Sequence, residues 1–121
     1  MSEANPKRIL CISYEESLLL TRKMIFEQAG YEVTAALGFA EAMEHCINRP
    51  AFDLIVMGHS IPRKDKTALI VALRPTCKSP ILSVRRHGDP PLPEANASVD
   101  SFDGPAKLIE AAKAAIAASV K

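Results

Sequence analysis

Short apolar runs alternate with helical patterns along nearly the whole sequence, and no other feature limits the fold as strongly. The apolar runs have the length of strands buried on both faces, and they lie at residues 8–12, 31–35, 54–57, 80–84 and 97–102. Between them, apolar side chains recur every three or four positions, which predicts helices at residues 17–29, 39–48 and 66–73, and a last helix that begins near Pro105. Strands and helices that alternate in this way predict an α/β fold with a parallel sheet.

The helical patterns also assign individual side chains to the core. We expect the aliphatic stem of Arg22 on the apolar face of the first helix, which ends at Gly30 as its C-terminal cap. In the second helix, Ala40, Met43 and Ile47 are expected to share the buried face.

Four further residues carry expectations about burial. Phe102, beside the fifth strand, is expected to face the core, and Cys11 and Cys46 are expected to be small buried hydrophobic residues. Cys77 falls in a polar loop, where its thiol would be accessible. An odd number of widely spaced cysteines argues against a disulfide framework, and the chain has no C-x-x-C pair that would suggest zinc.

The stretch between the fourth and fifth strands departs from the alternation. Three of residues 90–93 are prolines, and proline interrupts a helix because it lacks an amide donor and clashes with the preceding turn. Five strands in 121 residues predict a flavodoxin-like, doubly wound parallel sheet in the order 2-1-3-4-5, with the fourth helix shortened or missing. We expect residues 1–121 to form a single domain with its core at about 7–118, and the ligand crevice to lie beyond the carboxyl ends of the strands.

The composition excludes several classes of function. A formal net charge of +1 gives no general attraction to nucleic acid or to membranes. With two Tyr, four Phe and no Trp, the chain is poorly equipped to stack bases. No apolar run approaches the length of about 18 residues that a membrane span needs. We therefore expect a cytoplasmic protein with no cofactor, and with no nucleic-acid or membrane partner.

The order of these elements resembles the receiver domains of bacterial response regulators, the CheY-like family, over about residues 7–118. The matching segments occur in register with the family's strands and loops, and they are residues 8–10, 29–33, 53–57 and 80–82, together with Pro62 and Asp65. The resemblance implies chemistry in which a carboxylate at the end of the third strand accepts a phosphoryl group. Two acidic residues then hold Mg²⁺, and a hydroxyl and a lysine contact the phosphoryl oxygens.

The chain departs from this pattern at every one of those positions. Gly58 occupies the phosphoacceptor position, and Ser13 and Tyr14 replace the acidic pair. The hydroxyl position is Arg85 and the lysine position is Gly104. Glycine cannot be phosphorylated, and the metal loses its charged ligands, so we expect no phosphorylation of the usual kind and no bound metal.

The prediction that follows is a receiver-like domain that acts as a protein-interaction module in bacterial signalling. Its partner would be a histidine kinase or another signalling protein, and the domain itself a monomer or a weak homodimer. Glu15 remains as a residual acidic residue at the crevice.

Basic side chains replace the acidic ones around the predicted crevice, and they suggest a second function. Guanidinium groups match phosphate and carboxylate in charge and geometry. The chain would then be a sensor of a small anion or nucleotide, or it would bind an acidic partner. The residues that would make these contacts are Arg85, Arg86, His59 and Lys64. Other basic residues there are Arg63, Lys66 and His87. Alternatively the charges are solvated or paired internally, with Arg85 bound to Glu15.

Two more alternatives stay open from the sequence. Ser60 could act as a nucleophile with His59 as its base, in a small enzyme, provided that the two side chains converge on one pocket. Residues 88–93 are either an extended recognition segment or a rigid loop.

Overall fold

A computed structural model describes residues 6–48 and 52–119. In this part of the chain five strands and four helices follow one another in the order that the sequence predicts. The strands are β1 (Arg8–Ser13), β2 (Glu32–Leu37), β3 (Leu54–Met57), β4 (Ile81–Arg85) and β5 (Ala97–Asp100). The helices are α1 (Glu16–Gln28), α2 (Phe39–Asn48), α3 (Arg63–Leu73) and α4 (Gly104–Ser119).

All strand pairs are parallel, and the sheet has the order β2-β1-β3-β4-β5, which confirms the predicted flavodoxin-like topology. Successive side chains of each strand point to opposite faces, so that Ile9 and Cys11 of β1 join one core and Leu10 and Ile12 join the other. Residues of α1 and α4 complete the first core, and residues of α2 and α3 complete the second. No helix among the described residues is long and apolar enough to cross a membrane.

The end of α1 agrees with the sequence prediction, and the start of α3 differs from it. Gly30 adopts a φ of 99°, and its N–H donates to the carbonyl of Glu27, so the predicted glycine cap of α1 is confirmed. Helix α3 begins at Arg63, three residues before the predicted start, and this places Lys66 inside a helix.

Residues 86–96 contain no helix, which confirms that the fourth helix of the predicted pattern is missing. The proline-rich loop, residues 88–93, is anchored by Leu92, whose side chain is buried in the core beside α2 and α3. The guanidinium of Arg63 donates to the carbonyl oxygens of Pro90 (3.0 Å) and Pro91 (3.3 Å). These contacts favour the rigid-loop interpretation over a free recognition segment.

Three predictions about burial are wrong, because Ala40, Ile47 and Phe102 are all exposed. The buried face of α2 is formed by Ala42 and Cys46, and Ile47 is 61% exposed because it lies one residue further round the helix. Phe102 is 77% exposed because β5 ends at Asp100. Its ring instead stacks on His87, with the ring centroids 4.6 Å apart.

The predicted burial of Cys11 and Cys46 is confirmed, whereas the accessibility expected of Cys77 and the expected absence of a disulfide are wrong. Cys11 is a free, buried thiol whose pKa burial raises to about 12. Cys77 is buried rather than accessible, and it is joined to Cys46 in a disulfide. The spacing of the cysteines could not reveal this pair, because α2 and the segment after α3 are brought together only by packing.

Candidate functional site

The crevice at the carboxyl ends of β1, β3 and β4 is where the sheet order reverses, and it contains the altered phosphoacceptor position. Gly58 follows β3 directly and is held by a hydrogen bond from its N–H to the carbonyl of Ile12 (2.9 Å). The N–H of Ile61 donates back to the carbonyl of Gly58 (3.2 Å), which closes the turn that leads to α3.

A guanidinium group from α1 covers Gly58. Arg22 lies on the buried face of α1 between Leu19 and Phe26, and it is only 8% exposed. A Cβ atom built at Gly58 would lie 2.7 Å from Nη1 of Arg22, closer than real Cβ contacts allow. The φ of Gly58 is not positive, so the backbone does not require glycine here, and a side chain at this position would meet the guanidinium of Arg22 and require it to move.

Arg22 makes one strong hydrogen bond and leaves one donor without a protein partner. Its Nη2 lies 2.7 Å from Nδ1 of His59, and Nη1 is buried with no acceptor among residues 6–48 and 52–119. Because arginine can only donate, Nδ1 of His59 must accept, which requires the neutral Nε2–H tautomer. Burial and the nearby charges of Arg22, Arg86 and Lys66 lower the pKa of His59 and favour this neutral form.

Lys66 brings a second buried cation into the crevice. Its Nζ reaches from α3 to the end of β4, where it donates to Oγ of Ser83 (2.9 Å) and to the carbonyl of Val84 (2.8 Å). The side chain is 5% exposed, and no carboxylate bonds to it in the described part of the chain. Burial, reinforced by the charge of Arg22, lowers its pKa to about 8.

Hydroxyl groups occupy the region of the lost acidic pair. Oγ of Ser13 lies 2.9 Å from Oγ of Ser60 and also accepts a hydrogen bond from the N–H of Glu15 (3.1 Å). Tyr14 donates its N–H to Oγ of Ser60 (2.9 Å) and its phenol to Oδ2 of Asp65 (3.1 Å). The bonds of Ser60 join the end of β1 to the turn after β3 through neutral groups, and the bond from Tyr14 to Asp65 joins it to α3.

The Mg²⁺ that the family resemblance implies does not fit these residues. Magnesium takes oxygen ligands that usually include one or two carboxylates, whereas the charged side chain that approaches Gly58 is the guanidinium of Arg22, which also acts on the buried ammonium of Lys66. Among the described residues no group of three His, Cys, Asp or Glu side chains could hold a metal ion. Glu15 is exposed at the edge of the crevice and would face this cationic surrounding alone.

Arg85 ends β4 and Arg86 follows it, and the two side chains take different partners. Nη1 of Arg85 lies 3.4 Å from Oδ2 of Asp100 and 3.2 Å from the carbonyl of Asp89, so the expected pair with Glu15 is not formed. Arg86 donates its Nε to the carbonyl of His59 (3.1 Å) and remains exposed.

The position of the family's lysine is also incompatible with that residue type. Gly104 is the first residue of α4 and has a φ of 88°, a left-handed conformation that a lysine rarely adopts. It lies at the edge of a cavity of about 140 Å³ between α1 and α4, which also contacts Arg22 and Pro105.

The site residues named from the sequence are only partly brought together. His59, Arg85 and Arg86 line one small cavity, which Lys64 does not line because it is exposed on α3. His59 and Ser60 bond to different partners, Arg22 and Ser13, so they do not form a nucleophile–base pair. The helical pattern identified the stem of Arg22 but not the position of its guanidinium over Gly58. Lys66 was expected among the basic residues of the crevice, but its buried contact with β4 was not.

Comparisons with solved structures agree with this fold. A CheY-like response regulator receiver domain protein from Methanospirillum hungatei JF-1 is 24% identical, with a TM-score of 0.78 over 94% of this chain and 96% of that chain. A receiver domain protein from Clostridium thermocellum is 20% identical, with a TM-score of 0.78 over 93% and 95%. A receiver protein from Sinorhizobium medicae WSM419 is 23% identical, with a TM-score of 0.74 over 93% and 96%. No family model matches the sequence, and no curated protein matches it.

The chain therefore has the CheY-like receiver fold. At these identities the likeness concerns the fold, and the function has to be argued from the residues of the crevice.

Proposed function

We propose that this chain is a receiver-like signalling domain that works without phosphorylation of its third strand, through contacts with other proteins in the cytoplasm. A histidine kinase or another signalling protein would be its partner, and the domain itself would be a monomer or a weak homodimer. The receiver fold supports the signalling role, and the residues of the crevice support the loss of phosphorylation.

The observation that carries the proposal is the position of Arg22. Its guanidinium lies over Gly58, where a receiver domain would present its phosphoacceptor carboxylate. The substitution is therefore more than the loss of one nucleophile, because a cation fills the space in which the reaction would take place. Lys66, which is bonded to Ser83 and Val84, adds a second positive charge beside it.

The permanent positive charge of Arg22 also changes how the crevice can respond to a phosphoryl donor. In a receiver that is phosphorylated, negative charge appears when the phosphoryl group arrives, and the surrounding groups respond to it. Here the positive charge of Arg22 is permanent, because a guanidinium stays protonated throughout the physiological range. The guanidinium over Gly58 therefore holds one charge state, and the surface that meets partners would not depend on a phosphoryl donor.

An enzyme that uses His59 and Ser60 is the weaker candidate. Nδ1 of His59 accepts from Arg22 and is not available as a base for Ser60, whose hydroxyl lies between Ser13 and Tyr14.

The direct test is intact-mass spectrometry after incubation with acetyl phosphate and Mg²⁺. We expect no added phosphoryl mass on this chain, while a receiver domain with the complete set of residues gains it in the same tube. A phosphoryl adduct on this chain would show that another residue accepts the group, and would contradict the proposal.

A second measurement addresses the interaction role. We expect affinity-tagged protein to capture the same partners from native cells with and without acetyl phosphate treatment. A partner that is captured only after treatment would show that phosphorylation still controls the surface.

A further inference from the structure

We propose that the crevice contains a binding site for one small oxyanion of the phosphate type, either free or at the end of a nucleotide. The site is the basic cavity, a space of about 40 Å³ under the proline-rich loop, and its charged lining residues are Arg63, Lys66, Arg85, Arg86 and Asp89. The inference extends the proposed function, because a bound anion would take the regulatory place of a covalent phosphoryl group.

The charge of the basic cavity is strongly unbalanced. Four of its lining side chains carry cationic groups and one, Asp89, carries a carboxylate. Lys66 is the decisive member, since its ammonium is buried and bonded only to a hydroxyl and a carbonyl. Asp89 attracts this ammonium from across the cavity but does not bond to it. A buried charge that lacks a bonded counterion is costly, and an anion in the cavity would offset this cost.

Several donors at the cavity lack protein acceptors. Nε of Arg85 is buried without a hydrogen-bond partner among the described residues. Lys66 as an ammonium has three donors, and two of them are used. Arg86 bonds the carbonyl of His59 through Nε, which leaves its two terminal nitrogens to face a ligand as a fork.

The start of α3 adds a further favourable group. Pro62 and Arg63 line the cavity at the N-terminus of this helix, and Pro62 supplies no side-chain cap. Free amides and the positive end of the helix dipole favour an anion at such a position.

The size of the cavity limits the ligand. A volume of about 40 Å³ accommodates a group of a few heavy atoms, such as phosphate, and excludes a nucleoside. A nucleotide would place only its terminal phosphate there. The rigid loop that Arg63 holds through Pro90 and Pro91 forms one wall, so the site is formed before the ligand arrives.

The test is thermal unfolding of the full chain in Tris with sodium phosphate or sodium sulfate, each compared with sodium chloride at equal ionic strength. We expect phosphate in the millimolar range to raise the Tm by at least 2 °C over chloride, because a ligand that binds the folded state stabilises it. Isothermal titration calorimetry with phosphate and with ATP then distinguishes the free anion from a nucleotide by the lower Kd.

Variants assign the effect to the basic cavity. Arg86→Gln changes an exposed residue and should weaken phosphate binding about tenfold, while Lys66→Gln should abolish it. Lys78→Gln, which removes the same charge from an exposed residue before β4, should bind as the wild type does. Equal binding by Arg86→Gln and the wild type, or no shift with any oxyanion, would overturn the proposal.

The two proposals fail in different ways. Anion binding is reversible and leaves the mass of the denatured chain unchanged, whereas phosphorylation adds to it. A mass increase with acetyl phosphate therefore refutes the proposed function alone, and an absent thermal shift refutes the anion site alone.

Discussion

Replacing Gly58 with alanine tests whether Arg22 is the reason for glycine at this position. The new Cβ would lie 2.7 Å from Nη1 of Arg22 and 3.3 Å from the carbonyl oxygen of Ile12. The backbone cannot move easily, because the N–H of Gly58 is bonded to that same carbonyl. The guanidinium must therefore move, and we expect this movement to break the hydrogen bond from its Nη2 to His59.

The size of the effect follows from the groups involved. A hydrogen bond to a charged group contributes about 1.5–3 kcal/mol. Alanine restricts the unfolded chain more than glycine does, and this raises the free energy of unfolding by about 0.4–1 kcal/mol where the backbone conformation suits both residues. We expect Gly58→Ala to lower the free energy of unfolding by about 1–2 kcal/mol.

A double-mutant cycle separates this cause from general crowding. With Arg22→Ala as the background, the hydrogen bond is already absent and the space beside residue 58 is open. Gly58→Ala should then be neutral or slightly stabilising, so that the coupling energy is about 1.5–3 kcal/mol. Urea unfolding followed by circular dichroism at 222 nm measures all four proteins. An equal cost of Gly58→Ala in both backgrounds would refute the role assigned to Arg22.

Three further predictions concern stability. Because folding lowers the pKa of Lys66 from 10.5 to about 8, the folded state binds fewer protons than the unfolded state between these pH values. The free energy of unfolding of the wild type should therefore rise by up to about 3 kcal/mol relative to that of Lys66→Met as the pH rises from 8 to 10.5. A difference between the two proteins that stays constant with pH in urea unfolding would contradict this. A backbone hydrogen bond from Phe102 and contacts with His87 lower the pKa of Asp100 below 3.8. The stability that the carboxylate adds over Asp100→Asn should therefore be present at pH 6 and be lost as the pH falls through that lowered pKa. The difference in Tm between the two proteins measures it. Leu92→Ala should cost about 2–4 kcal/mol in urea unfolding because it removes the buried anchor of the proline-rich loop, while Leu20→Ala, at a residue 51% exposed, should cost under about 0.5 kcal/mol.

Local patterns were enough to predict the architecture. Strand β3 and helix α2 have the predicted bounds, and the sheet has the predicted order, because buried strands and helices impose periodicities of two and 3.6 on the sequence. The missing helix before β5 was also predictable, since the prolines exclude a helix whatever the segment packs against. The loss of the acceptor carboxylate at Gly58 is equally a matter of residue identity alone.

Only the tertiary structure decided what fills the crevice. The helical pattern places the stem of Arg22 on the buried face, but the direction of its guanidinium depends on a residue 37 positions away, His59. Lys66 was expected near the crevice, and packing determines that its ammonium is buried against β4. Long side chains reach partners distant in sequence, so their charged ends follow the packing of α1 and α3 on the sheet rather than any local spacing. The sequence by itself thus determined the fold and the missing nucleophile. The packing of helices on the sheet determined that the guanidinium of Arg22 covers its place and that the ammonium of Lys66 is buried in the neighbouring cavity.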